Sequence, residues 1–388
     1  MADKKQIADL FLGLADGLEG GSFAGRFPIG LTVPGSEHGE AELIHAACLA
    51  AKRNPDLDIV LIGGDSAECA KHGFKHYPAE TLEDAHKEME RLFKDGEIKA
   101  CVTMHYNFPL GVSTVGKVVT PGRGKEMILA TTTGTTDANR YKAMLLNTIG
   151  GIAVARASGI EEPTIGLLNI DGIAVIEKAL NKMKEKGYKI RYTESNRADG
   201  GVRMRGNDLL QGTPDVMICD TLTGNLLIKL FSSFLTGGGY EGAGFGYGPC
   251  IGTGYDDVVG IISRATGAPA IANALKFVAD CAKNGVHAKY AEELKAAKKA
   301  GLDELLEDMP GAKPAAASSS ETVTAPPKKT VDAGIPGIDV IEIEDACKAL
   351  WKEKIYAETG MGCTGPVIMV SAEDLVKAKD VLHKADYI

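Results

Sequence analysis

The chain has 388 residues, 44% of them apolar, enough for two or three domains around a sizeable core. A net charge of −9 argues against a nucleic-acid surface, which needs clustered Lys and Arg. No apolar run reaches the ~18 residues of a membrane span. The opening MADKKQIADLFLGLADGLEGG is amphipathic and acidic rather than basic, apolar and cleavable. A cytoplasmic location is therefore expected.

From Phe27 to about Pro310, short aliphatic runs alternate with helical stretches. LDIVLIGG, KACVTM, EMILATT, TIGLLNI and DVMICD are bounded by Gly, Asp or Asn and read as strands. HGEAELIHAACLAAKRN, DANRYKAMLLNTIGGIAVARA and DGIAVIEKALNKMKEKG have helical spacing. Such alternation predicts an α/β fold with a mostly parallel sheet covered by helices on both faces. Ligands in such folds bind beyond the carboxyl ends of the strands, so the loops there are the place to look for chemistry.

GSEHGEAELIHAA sets a glycine turn and His38 ahead of a helix, where free N–H groups suit an anion. A cap made by Ser36 or Glu37 accounts for the turn equally well. GVSTVGKV, Gly111 to Val118, is nearly a nucleotide P-loop, but Val118 stands where Ser or Thr would hold magnesium. ATTTGTTDANR gathers threonine hydroxyls, Thr135 and Thr136 among them, between a strand and a helix, with Asp137 as the expected N-cap. After DVMICD comes a turn, Thr223, Gly224 and Asn225, with N–H groups placed for an oxyanion. GGGYEGAGFGYG reads as a flexible loop on the substrate side. Ser263 and Arg264 then follow an apolar run, and arginine's fixed fork suits phosphate or carboxylate.

Three divisions are expected: an α/β domain over 1–309, a linker over 310–337 and a small α/β unit over 338–388. PGAKPAAASSSETVTAPPKKTVDAGIP has linker composition, and its Gly311–Gly334 portion would average ~27 Å end to end as a coil, or ~75 Å in extended polyproline geometry. In the last unit IDVIEI reads as a strand, EDACKALWKEK as a helix, PVIMVS as a strand and AEDLVKAKDVLHKA as a helix. Between them, ETGMGCTG reads as a Gly-rich loop carrying Cys363. Eight cysteines are scattered without a CxxC pair, so most, Cys219 among them, read as small buried apolar residues.

PGSEHGEAELIHAACLAAKRNPDLDIVLIGG, SGIEEPTIGLLNI and GNDLLQGTPDVMICDTLTGNLLIKL resemble the acyl-phosphate synthases of bacterial phospholipid synthesis. GPCIG followed by IISR resembles the phosphotransacetylases, whose Ser-Arg pair serves phosphate and acyl binding. Both resemblances fall within roughly residues 27 to 280 and imply a two-lobed fold with a cleft, transferring acyl groups between thiol and phosphate. Neither group has the linker or the C-terminal unit. With DACKALW and AETGMGCTGPVIMV included, the whole chain resembles the alpha subunits of component C of glycine/sarcosine/betaine reductase complexes.

That resemblance implies an acetyl thioester on Cys363 that leaves with inorganic phosphate as acetyl phosphate. Arg264 and Ser263 would hold the phosphate, helped by Thr135, Thr136 and His38. The groups near Thr223, Gly224 and Asn225 would stabilise the oxyanion. It further implies a thiolase-like beta subunit, a selenoprotein component A as two-carbon donor, an oligomeric assembly, and no cofactor or metal. Phosphotransacetylases place an aspartate base a few residues after Ser-Arg, where this chain has Ala270. Two other readings stand beside this one: a long-chain acyl-phosphate synthase, and a phosphate-binding scaffold without chemistry.

Overall fold

A computed structural model describes residues 11–12, 15, 25–198, 200–310, 323–336, 338, 343–362, 365–385 and 387–388. In chain order, β1 (Phe27–Thr32), α1 (Glu40–Arg53), β2 (Leu57–Ile62), α2 (Ser66–Lys71), β3 (Lys75–Tyr77), α3 (Leu82–Lys94) and β4 (Ala100–Met104) alternate. A hairpin follows, β5 (Val112–Val119) and β6 (Glu126–Thr135). Then come α4 (Arg140–Ala157), β7 (Ile165–Leu168), α5 (Ile173–Glu185), β8 (Arg203–Met204), α6 (Gly206–Gln211), β9 (Val216–Ile218) and α7 (Thr221–Ser233). The large unit closes with β10 (Gly248–Gly252), β11 (Val259–Ile262), α8 (Ala268–Lys283), α9 (Val286–Lys299) and α10 (Leu302–Glu307). Each aliphatic run of the large unit read as a strand is one, because short apolar runs fit a sheet covered on both faces.

The large unit holds an eleven-stranded sheet in the order β3-β2-β1-β4-β11-β10-β5-β6-β9-β7-β8. Its two flanks are parallel, but β10 runs antiparallel to both β11 and β5, and β5 antiparallel to β6. Three reversals make the two parallel flanks run in opposite directions. Their carboxyl ends can therefore face one another across a cleft. Gly111 to Val118, the near P-loop, belongs to strand β5 and its lead-in, so it forms no phosphate loop. Helix α4 is buried along most of its length, with Leu145, Ile149, Ile152 and Val154 in the core. Burying each such side chain contributes ~1.5–3 kcal/mol.

The C-terminal unit consists of β12 (Ala333–Pro336), α11 (Ile343–Lys352), β13 (Ala357–Gly362), β14 (Gly365–Val370) and α12 (Leu375–Lys384). The antiparallel order is β12-β14-β13. It has its own core of Ile335, Ile343, Leu350, Ile368, Val370 and Leu382, separate from those of the large unit. Its sheet starts earlier than the sequence suggests: β12 falls inside the stretch read as linker, because Ile335 is a buried anchor paired with Ile368. In IDVIEI, Ile343 starts α11 instead of ending a strand, and residues 339–342 lie outside the described residues. The Gly-rich loop proves to be mostly strand: β13 pairs with β14 from Ala357–Val370 to Gly362–Gly365. Cys363 and Thr364, the two residues between that last pair, lie outside the described residues.

One β-bridge joins the two units, Pro109 to Gly360. It places β13 beside the loop that follows β4.

Candidate active site

A cavity of about 660 Å³ lies where the two opposed flanks meet. Its walls come from the segments after β4 (His105, Tyr106, Phe108), the end of β6 (Thr133–Thr135), the start of α7 (Thr221, Leu222, Asn225, Lys229) and the end of β11 (Ser263, Arg264). These are carboxyl ends, as expected for an α/β sheet. Tyr106 and Phe108 meet edge to face at 5.2 Å in this wall, and Tyr255 packs against Phe108 at 5.8 Å.

The Ser-Arg pair is held by a buried carboxylate. Glu241 is 4% exposed. Its Oε1 accepts from the Ser263 hydroxyl at 2.7 Å, from the Tyr247 hydroxyl at 3.2 Å and from Lys229 Nζ at 3.4 Å. Its Oε2 accepts from Thr266 at 3.3 Å. From Glu241 onward the Gly-rich string GGGYEGAGFGYG is packed: Glu241 N donates to Ala265 O and Gly267 N to Glu241 O. Its glycines let backbone wind close enough to bury a carboxylate among four donors. Arg264 is exposed into the cavity, and its carbonyl accepts from Glu37 N at 2.9 Å.

His38 braces this loop from outside, its Nε2 donating to Ala265 O at 3.1 Å. It does not line the cavity, so its expected place at the phosphate is corrected to a supporting one. His105 does line it, with a left-handed φ of 51° that only a few non-glycine residues adopt. Burial lowers its pKa below the ordinary imidazole value, and the Arg264 charge lowers it further.

Helix α7 corrects the oxyanion expectation. It begins at Thr221, so Thr223, Gly224 and Asn225 form its first turn instead of a preceding loop. Asp220 is the N-cap and accepts from Thr223 N, while Gly224 N donates to Asp220 O at 2.9 Å. Both N–H groups are spent, and the Thr223 hydroxyl donates to Asp220 at 2.7 Å. Gly224 serves packing: a Cβ there would stand 1.9 Å from Thr131 O. Asn225 stays in the cavity wall, with one amide N–H on Thr132 O at 3.1 Å. Burial raises the Asp220 pKa, but Thr223 and Arg140 outweigh that and hold it below the ordinary carboxylate range.

Thr135 lines the cavity. Thr136 does not; its hydroxyl is engaged by Asn147 at 2.6 Å and Ser113 at 2.8 Å. The cap of α4 is Asn139, not Asp137, whose carboxylate accepts from Asn139 N. Ala270 is buried in the first turn of α8 and offers no base. At the start of that helix, Glu42 takes the Ala268 N–H at 2.6 Å.

Cys101, Cys219, Cys250 and Cys281 are fully buried, and burial pushes each thiol up, Cys250 to about 12. Such thiols are poor nucleophiles. Glu241, Lys229, Tyr247, His105 and Phe108 escaped the sequence reading. A single acid inside a glycine-rich string was the one available signal, for Glu241.

Residues 27–369 match the family described as fatty acid synthesis protein. The glycine/sarcosine/betaine reductase complex component C subunit alpha of Peptoclostridium acidaminophilum is 51% identical over 389 residues, covering all of both chains. The chain belongs to this component C alpha family. A phosphate acyltransferase of Paraburkholderia xenovorans is 27% identical over 234 residues, 50% of this chain and 62% of its own length. A branched-chain phosphotransacylase structure from Enterococcus faecalis aligns with TM-score 0.44 and 18% identity, over 67% of this chain and 99% of its own. These relatives support an acyltransferase-like role for the chain. No helix among the described residues is long and apolar enough to cross a membrane.

Proposed function

We propose that the chain carries an acetyl group as a thioester on Cys363 and passes it to inorganic phosphate in the cleft, releasing acetyl phosphate. The observation that carries this reading is the seat of the C-terminal hairpin. Gly360 bridges to Pro109, the residue after Phe108 of the cavity wall, and Cys363 is three residues further along the chain. Cys101 and Cys250, the other carriers worth weighing, are buried with raised pKa values.

A phosphate oxygen attacks the thioester carbonyl. The C–S bond breaks, its electron pair leaves on sulfur, and the proton brought by hydrogen phosphate ends on the thiolate. Arg264 and Lys229, both in the cavity wall, neutralise the phosphate. The second amide N–H of Asn225 donates to the oxyanion, replacing the spent N–H groups of Thr223 and Gly224. Loading of Cys363 is assigned to a thiolase-like beta subunit, with a selenoprotein component A as two-carbon source, in an oligomeric cytoplasmic complex.

The test is peptide mapping by mass spectrometry after incubating the purified chain with acetyl phosphate, under reducing conditions at mildly acidic pH. A hydroxylamine-labile acetyl group on Cys363, absent from Cys363→Ala, is expected. Acetyl on Cys101 or Cys250 instead would move the carrier into the large unit. No acetylation of folded protein overturns the reading for the isolated chain.

A further inference from the structure

Ser263 is not free to act as an ordinary phosphate donor. A serine hydroxyl has one proton and two lone pairs. Its proton goes to Glu241 Oε1 at 2.7 Å, the shortest of the four bonds that carboxylate accepts. One lone pair accepts from Ala265 N at 3.1 Å. The Thr266 hydroxyl accepts from Ser263 N at 3.0 Å and stands 3.3 Å from both Glu241 Oε2 and Ser263 Oγ. Its single proton goes to the charged carboxylate, the stronger acceptor, which leaves the second lone pair of Ser263 open. What Ser263 still offers the cavity it lines is a lone pair. Glu241 cannot surrender its role: it is buried, and Lys229 and Tyr247 fix the same oxygen.

We infer that the cleft selects tetrahedral anions that carry a proton over those that carry none, and that the Glu241–Ser263 pair makes the selection. Hydrogen phosphate and hydrogen arsenate donate their O–H to Ser263 while Arg264 and Lys229 meet their charged oxygens. Sulfate at neutral pH has no proton and sets an oxygen lone pair against that of Ser263. The inference rests on the reading that phosphate is the acceptor bound in this cleft. Ser263 then fixes which oxygen is protonated and leaves an unprotonated one for attack. Glu241 is a positioning residue acting through Ser263.

Isothermal titration of the full chain with phosphate, arsenate and sulfate separates the cases. Wild type is expected to bind phosphate and arsenate roughly ten- to a hundredfold more tightly than sulfate, the span of one hydrogen bond to a charged group. In Glu241→Leu no acceptor faces the Ser263 hydroxyl, which is free to turn its own proton to the cavity, so sulfate binding should improve and the preference fall to near one. Ser263→Ala should lose phosphate affinity while leaving sulfate unchanged. That second variant keeps the test alive if the first fails to fold, as circular dichroism would show. Equal binding of phosphate and sulfate by wild type, or a preference that survives in both variants, overturns the inference alone. No phosphate binding, or binding that Arg264→Ala leaves untouched, overturns the functional reading and the inference with it.

Discussion

Replacing Gly224 by Ala sets two known effects against each other. Alanine favours a helix interior by ~1 kcal/mol over glycine. The added Cβ would stand 1.9 Å from the Thr131 carbonyl oxygen and 3.1 Å from Cys219 Sγ. Ordinary contact begins near 3.4 Å, so the first overlap exceeds 1 Å. Neither side yields cheaply. Thr131 sits in β6, flanked by β5 and β9, with its hydroxyl bonded to Thr114 O, and α7 is fixed by its Asp220 cap. Overpacking costs ~1–3 kcal/mol and more when backbone must move. At the upper end this outweighs the helix gain by ~2 kcal/mol, a fall in Tm of about 3 °C for a unit of this size. Because Asn225 and Lys229 ride on the same helix, phosphate affinity should fall too. Thermal melts and phosphate titration of G224A check both. A Tm equal to or above wild type refutes the close approach of α7 to β6 on which the cavity wall depends.

Arg264→Ala should weaken phosphate binding roughly ten- to a hundredfold, with Arg264→Lys restoring only part of it, since a point charge replaces a fork. Cys363→Ser should abolish the hydroxylamine-labile acetyl adduct while leaving phosphate binding by calorimetry unchanged. Asp220→Asn keeps the capping shape and removes the charge. The Asp220 carboxyl is held below its ordinary range in the folded state, so its charge stabilises at neutral pH and this is lost as pH falls through the folded pKa. The Tm gap between wild type and D220N should therefore close in acid, and a gap constant down to pH 3 would contradict the assignment.

The strands of the large unit were readable because buried parallel strands are continuous apolar runs with turn residues at each end. The opposed direction of the two flanks was not, because nothing in GPCIG or VSTVGKVV declares antiparallel pairing. Ser263 and Arg264 stand in the cavity wall because a polar pair after an apolar run falls at a strand's carboxyl end. Glu241 was missed because its meaning lies in four donors that come from Lys229, Tyr247, Ser263 and Thr266, spread over 38 positions of chain. Thr223 and Gly224 misled for a local reason. A Thr-Gly pair after an aspartate looks like a turn, yet Asp220 is a strong N-cap and draws both into the helix. ETGMGC misled similarly, its glycines being tolerated in a strand whose neighbour is another backbone, as at Gly360 beside Pro109.

The bridge between Pro109 and Gly360 is the only backbone pairing between the two units among the described residues, and proline brings no N–H to it. Each hydrogen bond in such a contact is worth ~0.5–1.5 kcal/mol, one to three times thermal energy. The C-terminal unit has its own core, so lifting it away breaks a latch without unfolding either side. Residence at the cleft is then governed by what the hairpin brings with it. On the proposed function, a loaded hairpin gains whatever the cleft offers its cargo, and an emptied one keeps only the latch. Turnover would be timed by the difference between those two dwell times.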